Sequence, residues 1–246
     1  MPSIELLGAR IDALTVGEAV DFAADLVTKG RPSQVITMNP EYLYRAQKEP
    51  ELLRVANGAA LVTADGVGIV WAAACAGRPV PQRVTGIDLM QRLLARAAAE
   101  GWRVYFLGAV PGVAEEAARR ARESLPGLIV CGAHHGYFDV DDDGAVVAAV
   151  RAARPDLLFC GLGAPKQELW AARRLGDLGV PVVMGVGGSL DVLAGKVRRA
   201  PAWLVRLRLE WLGRLVREPR RWRRQLVLPK FAWLVIRTYV LKLGRY

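Results

Sequence analysis

The sequence predicts an α/β protein, with a largely parallel β-sheet flanked by helices and a basic, amphipathic helical appendage at the C-terminal end. Two observations predict the sheet. Short apolar, β-branched runs alternate with Ala-, Arg- and Glu-rich segments of helical length, as in repeated strand–helix units. Several of these runs also end in a turn carrying Gly, Asn or Asp directly before the next helix. That is the arrangement of a Rossmann-like sheet, whose ligand crevice lies beyond the carboxyl ends of the strands. A third observation, a shift in charge near residue 196, predicts the appendage.

In chain order the expected strands are QVITM (34–38), AALVTA (59–64), RVYFLG (103–108), LIVCGA (128–133), DLLFCGLG (156–163) and VPVVMGVG (180–187). Each is an apolar run of strand length. Helices are expected over 40–57, 66–77, 87–100, 112–124, 144–153, 166–176 and 188–195. Five turns join strand to helix: MNPE (38–41), TADG (63–66), LGAVPG (107–112), GLGAPKQE (161–168) and GVGGSLD (185–191). In an open parallel sheet all five are candidates to converge on one site. Beyond about residue 200, Pro201, Pro219 and Pro229 each suit the first turn of a new helix, which gives three short amphipathic helices.

Charge divides the chain in the same place. Residues 196–246 hold 15 Lys and Arg against Glu210 and Glu218, while residues 1–195 hold 19 basic and 22 acidic residues. The expectation is a slightly acidic globular domain over 1–195 and a basic appendage over 196–246 whose partner is polyanionic. Four of the seven Trp residues (Trp203, Trp211, Trp222 and Trp233) lie among the basic ones. Trp among Arg can stack bases and pair phosphates, so a nucleic-acid binder is the alternative reading. The acidic body and the apolar run LVLPKFAWLVI do not suit a solvated nucleic-acid groove, and the apolar run among basic residues suits an anionic membrane surface.

The stretch LVLPKFAWLVIRTYVLKL is broken by Pro229, Lys230, Arg237 and Lys242, so it suits lying on a bilayer rather than crossing one. The first residues, MPSIELLGARIDALT, lack the basic start and unbroken apolar stretch of a signal peptide. Cys75, Cys131 and Cys160 are odd in number and without C-x-x-C spacing, as expected for buried thiols in a reducing compartment. The expected location is cytoplasmic, peripheral on the inner face of the membrane.

Several motifs carry chemistry. GLGAPKQE and GVGGSLD read either as diphosphate cradles, through close backbone approach at Gly163 and Gly187 and helix N-termini, or as ordinary strand–helix turns. A dinucleotide site is disfavoured, because Lys166 stands where the third Gly of G-x-G-x-x-G belongs and the following strand ends without an acid. DVDDDG (139–144) is not a calcium loop, since Val150 occupies its twelfth position. Its carboxylates read as caps for the helix starting near Gly144, with a metal-binding D-x-D as the other reading. Asp65, between strand and helix, reads on spacing as an N-cap. His134 and His135 are adjacent, and no further His or Cys has metal-ligand spacing with them, which gives one surface and one core residue.

The segments ITMNPEYL (36–43), LVTADGVGIVWAA (61–73), RVTGIDLM (83–90), FLGAVPG (106–112), GLGAPKQELW (161–170) and GVGGSLDVLAGKVRRAPAWL (185–204) together resemble the WecG/TagA/CpsF glycosyltransferases, family 26. They occur in the family's order and cover nearly the whole chain. The C-terminal PRRWRRQLVLPKFAW is most similar to the TagA branch. The resemblance implies an inverting, metal-independent transferase without a cofactor. It would use a UDP-sugar, UDP-N-acetylmannosamine or its uronic acid, and a lipid-linked GlcNAc acceptor in surface-polymer synthesis such as wall teichoic acid. It also implies Asp65 as catalytic base, and Thr37, Asn39, Arg83 and Gln167 as the lining of the sugar pocket. Tyr137 and Asp191 match positions near the uridine. Such a metal-free site needs cations for the departing diphosphate, and the expected sources are Arg214, Arg221 and Arg224 of the appendage, which would also bind the membrane. Self-association into a homo-oligomer is left open.

Overall fold

The computed structural model describes residues 1–197 and 226–242. Its centre is a six-stranded sheet in the order β4-β3-β8-β7-β5-β6, and each neighbouring pair is parallel. The strands are β3 (Ser33–Met38), β4 (Leu61–Ala64), β5 (Arg103–Gly108), β6 (Ile129–His134), β7 (Leu157–Gly161) and β8 (Val182–Gly185). All six expected strands are present, β5 with the expected bounds and the others differing by one or two residues at one or both ends.

Alternation along the strands separates the two faces. Val35, Leu61, Val104, Phe106, Leu157, Phe159, Val182 and Met184 enter one core, against α1 (Val16–Lys29), α5 (Gly86–Glu100), α6 (Val113–Ser124) and α9 (Ser189–Leu193). The intervening residues face two further cores. Tyr105, Leu107, Leu158, Cys160 and Val183 pack with α7 (Gly144–Ala153) and α8 (Lys166–Leu178). Ile36, Met38, Val62 and Ala64 pack with α2 (Pro40–Ala46), α3 (Pro50–Gly58) and α4 (Val67–Cys75). A period of two with both faces covered is what a buried parallel sheet requires.

Three local features depart from the sequence reading. The first thirty residues form an antiparallel hairpin, β1 (Ser3–Leu6) with β2 (Ala9–Asp12), followed by α1. Thr15 and Glu18 close a reciprocal capping box at the start of α1. The single helix expected over 40–57 is two, because Pro50 lacks an N–H for the ladder and starts α3 as its first residue. The carboxylates of DVDDDG do not cap α7 as expected. Asp143 stands at the N-cap position without a side-chain cap bond. Its buried carboxylate instead accepts from Trp170 Nε1 at 2.6 Å and from Arg174 at 2.7 and 3.1 Å, locking α7 to α8.

At the C-terminal end, α10 (Val227–Val235) continues into a wider π turn, Ile236–Val240, and Pro229 lies in its first turn as expected. Phe231 and Val235 are buried in the core shared with the hairpin, α2 and α4. Tyr239 Oη accepts from the Leu7 N–H at 2.7 Å, tying the last helix to the hairpin turn. No helix among the described residues is long and apolar enough to cross a membrane. The helices expected to begin at Pro201 and Pro219, and with them Arg214, Arg221 and Arg224, lie outside the described residues.

Burial opposes ionisation of Asp143, but Arg174 and the Trp170 indole outweigh it and hold the carboxyl below its ordinary value. Asp143→Ala strands a buried indole N–H and removes the nearer of the two carboxylates paired with Arg174. We expect a loss of about 2–3 kcal/mol in urea unfolding at neutral pH. Because the folded pKa is depressed, the contribution is present above the ordinary carboxylate range and is lost as pH falls through the folded value. The gap between parent and variant therefore narrows in acid.

Candidate active site

Four adjacent strands, β4, β3, β8 and β7, deliver their carboxyl-end turns to one cavity of about 510 Å³. From β3 come Thr37 and, one residue past the strand, Asn39. The Asn39 Oδ1 caps α2 by accepting from the Tyr42 N–H at 2.9 Å. From β4 comes Asp65, whose own N–H donates to Met38 O at 2.8 Å and so holds the two strand ends together.

Arg83 reaches the cavity because the segment before α5 is stitched along the end of β4. The Thr63 hydroxyl donates to Val84 O at 3.3 Å, and the Val84 N–H donates to Ala64 O at 2.9 Å. Thr85 then caps α5, and the next residue donates its N–H to Asp65 Oδ2, Gly86 N to carboxylate, at 3.3 Å. Asp65 thus does meet a helix start, but that of α5 rather than α4, the helix that follows it. Gly66 holds the N-cap position of α4. A Cβ at Gly86 would lie 3.2 Å from Thr37 Oγ1 and 3.9 Å from Asp65 Oδ2, so these three residues share one small space.

The other wall comes from β7 and β8. Gln167, buried in the first turn of α8, bridges the two glycine turns: its Oε1 accepts from Gly163 N at 3.2 Å and from Gly187 N at 3.0 Å. Those two N–H groups are therefore engaged within the protein, and a diphosphate in the cavity would have to meet other donors. Among the described residues lining the cavity, Arg83 carries the only positive charge. The remaining side is apolar and comes from Trp71 on α4 and from Leu228, Phe231 and Ala232 on α10.

Thr37, Asn39, Asp65, Arg83, Gly163, Gln167 and Gly187 thus line one cavity, as the sequence reading grouped them. Tyr137 and Asp191 do not line it. Tyr137 is 69% exposed and borders a second, shallower depression with Phe138 and Lys166. Asp191 lies in the first turn of α9, beside Gly188. The turn at 107–112 contributes nothing to the main cavity, so four of the five expected turns converge. His134 and His135 are both half-buried with rings 4.5 Å apart, rather than one outside and one inside. No three His, Cys, Asp or Glu side chains among the described residues gather as a metal site would need.

Residues 4–244 match the glycosyl transferase WecG/TagA/CpsF family. The chain belongs to that family. It is 34% identical over 224 residues to an N-acetylglucosaminyldiphosphoundecaprenol N-acetyl-beta-D-mannosaminyltransferase of Bacillus spizizenii, covering 89% of this chain and 86% of that one. Proteins of the same name from Staphylococcus aureus and Bacillus subtilis are each 32% identical. The first match covers 94% of this chain and 91% of the relative, the second 82% and 78%.

Sequence reasoning did not name four polar residues that line the cavity, Glu41, Thr85, Ser189 and Glu168, and the last of these is the most deeply buried. It is 3% exposed, and its Oε1 accepts from Gln167 Nε2 at 2.7 Å. Burial pushes its carboxyl up to about 7. Its position at i+1 from Gln167 gave no hint, because neighbours on a helix ordinarily face different ways. The folded pKa is raised above the ordinary 4.5, so ionisation weakens the fold as pH rises from about 4.5 to 7 and the full penalty stands above that. Glu168→Gln removes this dependence. In unfolding titrations the variant should gain on the parent across that window by about 3 kcal/mol, and a pH-independent difference would contradict the buried-acid assignment.

Proposed function

We propose that this chain is an inverting glycosyltransferase that moves N-acetylmannosamine from a UDP-linked donor to the GlcNAc of a diphosphoundecaprenol-linked acceptor. The observation that carries the reading is Asp65, anchored by the Gly86 N–H in a cavity it shares with Thr37, Asn39, Arg83 and Gln167. The shared name of relatives that align over most of both chains supports the choice of sugar and acceptor.

The reaction forms a bond from an acceptor hydroxyl oxygen to the anomeric carbon, breaks the bond from that carbon to the UDP oxygen, and sends the hydroxyl proton to Asp65 as general base. Thr37, Asn39, Arg83 and Gln167 orient the reacting sugars, which converts an encounter into an aligned attack. Arg83 meets negative charge developing on the leaving diphosphate. Arg214, Arg221 and Arg224 of the appendage are proposed to add to it, while Tyr137 and Asp191 remain the proposed nucleotide-side residues. UDP-sugar is a substrate here, and no resident metal or other cofactor is proposed.

Asp65→Asn should lower kcat by about two to four powers of ten with UDP affinity nearly unchanged, because the amide keeps the Gly86 bond and loses the base. Turnover by the parent should persist in EDTA. Near-parental kcat in folded Asp65→Asn removes the base assignment, and activity abolished by chelator and restored by manganese removes the metal-free one.

We further propose that residues 196–246 form an appendage that docks peripherally on the cytoplasmic membrane face. In support, α10 turns Leu226, Lys230 and Trp233 outward at i, i+4 and i+7, with Val240 and Leu241 also exposed, while Phe231 and Val235 face the core. The double substitution Lys230→Glu with Trp233→Glu should weaken binding to anionic liposomes about tenfold or more. Equal co-sedimentation of parent and variant would leave α10 without that role.

A further inference from the structure

Glu168 holds an arrangement that the transfer step as described leaves unused. One carboxylate oxygen accepts from Gln167 Nε2, whereas the other, Oε2, is buried with no hydrogen-bond partner. Burying an unpartnered carboxyl oxygen costs stability, and an apolar residue of similar size would avoid that cost. The pair is also pressed against the end of β8. A Cβ on Gly185 would stand 2.7 Å from Gln167 Nε2 and 3.0 Å from Glu168 Oε1, so a larger residue there would displace the ends of these side chains. The Glu168 main-chain oxygen accepts from the buried Gln34 Nε2 at 2.9 Å, fixing this turn of α8 to β3.

These contacts decide which way the Gln167 amide faces. Two backbone N–H groups, of Gly163 and Gly187, require its oxygen on one side. An acceptor oxygen of Glu168 requires its nitrogen on the other. Reversing the amide would break all three bonds. Without Glu168 the amide keeps only the two glycine bonds, its nitrogen loses an anchor, and the two turns are free to shift relative to each other.

We propose that Glu168 is a positioning residue for the transfer reaction, acting through Gln167 to set the spacing of the glycine turns at Gly163 and Gly187 that wall the cavity. This rests on the transferase reading above. What matters in this role is the reach of the side chain and an oxygen at its end, not its charge.

The test compares Glu168→Ala, Glu168→Asp and Glu168→Gln in the full chain, with UDP-N-acetylmannosamine and a lipid-linked GlcNAc acceptor. Glu168→Gln places a carbonyl oxygen where Oε1 now sits and should keep kcat within about threefold of the parent. Glu168→Asp keeps the charge but is one methylene too short. It should lose about tenfold to a hundredfold in kcat with a much smaller change in KM, as should Glu168→Ala, because small misplacements of aligning groups act on the aligned state. Amide hydrogen exchange gives a readout independent of activity: the Gly163 and Gly187 N–H groups should exchange at least tenfold faster in the Asp and Ala variants and at the parental rate in Gln. If Glu168→Ala does not fold, the Asp–Gln comparison decides alone. Unchanged kcat and exchange in Glu168→Asp overturn the proposal, as does a Gln variant as impaired as Asp. A parent without turnover overturns the transferase reading instead, and the exchange rates then still decide whether Glu168 holds the turns.

Discussion

The site depends on a seam. Strand β8, four residues long, pairs with β3 on one side and β7 on the other, and so joins the β4–β3 pair to the β7–β5–β6 trio. Among the described residues it is the last strand of the sheet in sequence, and it enters the middle. Thr37 and Asp65 belong to one side of this seam, Gly163 and Gln167 to the other, and Gly187 follows β8 itself. The cavity-lining groups from both sides therefore keep their spacing only if β8 is seated. The Gln167 amide reinforces the seam beyond the last ladder bond, at the level of the cavity. Parallel pairing makes this possible, because it brings every strand's carboxyl end to the same edge.

Most of the sheet was legible because buried parallel strands are nearly continuous apolar runs, and this chain has six of them. The N-terminal hairpin was not, since its strands are only four residues long and SIEL carries little of that signal. The helix after it did leave a readable mark, Thr15 and Glu18 at capping-box spacing. The break at Pro50 was likewise available from the residue itself, as proline tolerates the first position of a helix and not its interior. Asp143 illustrates a different limit. Its place before a helix is local information, but the choice between capping that helix and gripping Trp170 and Arg174 depends on α8 arriving 27 and 31 residues later.

The same division runs through the site. Turns at strand ends can be read from spacing, and the family resemblance chose among their polar residues. Asp65 shows why spacing alone misassigned the partner: the cap rule looks to the following helix, whereas the carboxylate meets α5, brought alongside by the Thr63–Val84 stitching. Glu168 was invisible for the complementary reason. A glutamate in the first turn of a helix ordinarily faces solvent and favours the helix dipole. Here it is turned inward against Gln167, in space that a Cβ on Gly185 would crowd.

The apolar wall of the cavity has the longest range in sequence. Leu228, Phe231 and Ala232 come from α10, more than 150 residues after Asp65 in the chain, and Gly68 lets α4 lie close beneath them, because a Cβ there would collide with Pro40 at 2.6 Å and touch Phe231 at 3.7 Å. The outward residues Leu226, Lys230 and Trp233 are on the same helix or at its cap. A nine-residue helix does not bend easily between its two faces, so a surface that holds the outer residues also holds the inner ones. Tyr239 extends this by bonding the Leu7 N–H, which carries the restraint into the hairpin and from there to α2 through the bond from Gln47 Nε2 to Leu7 O. The outward helix face and the cavity wall are thus two sides of one mechanical element rather than separate attachments to the domain.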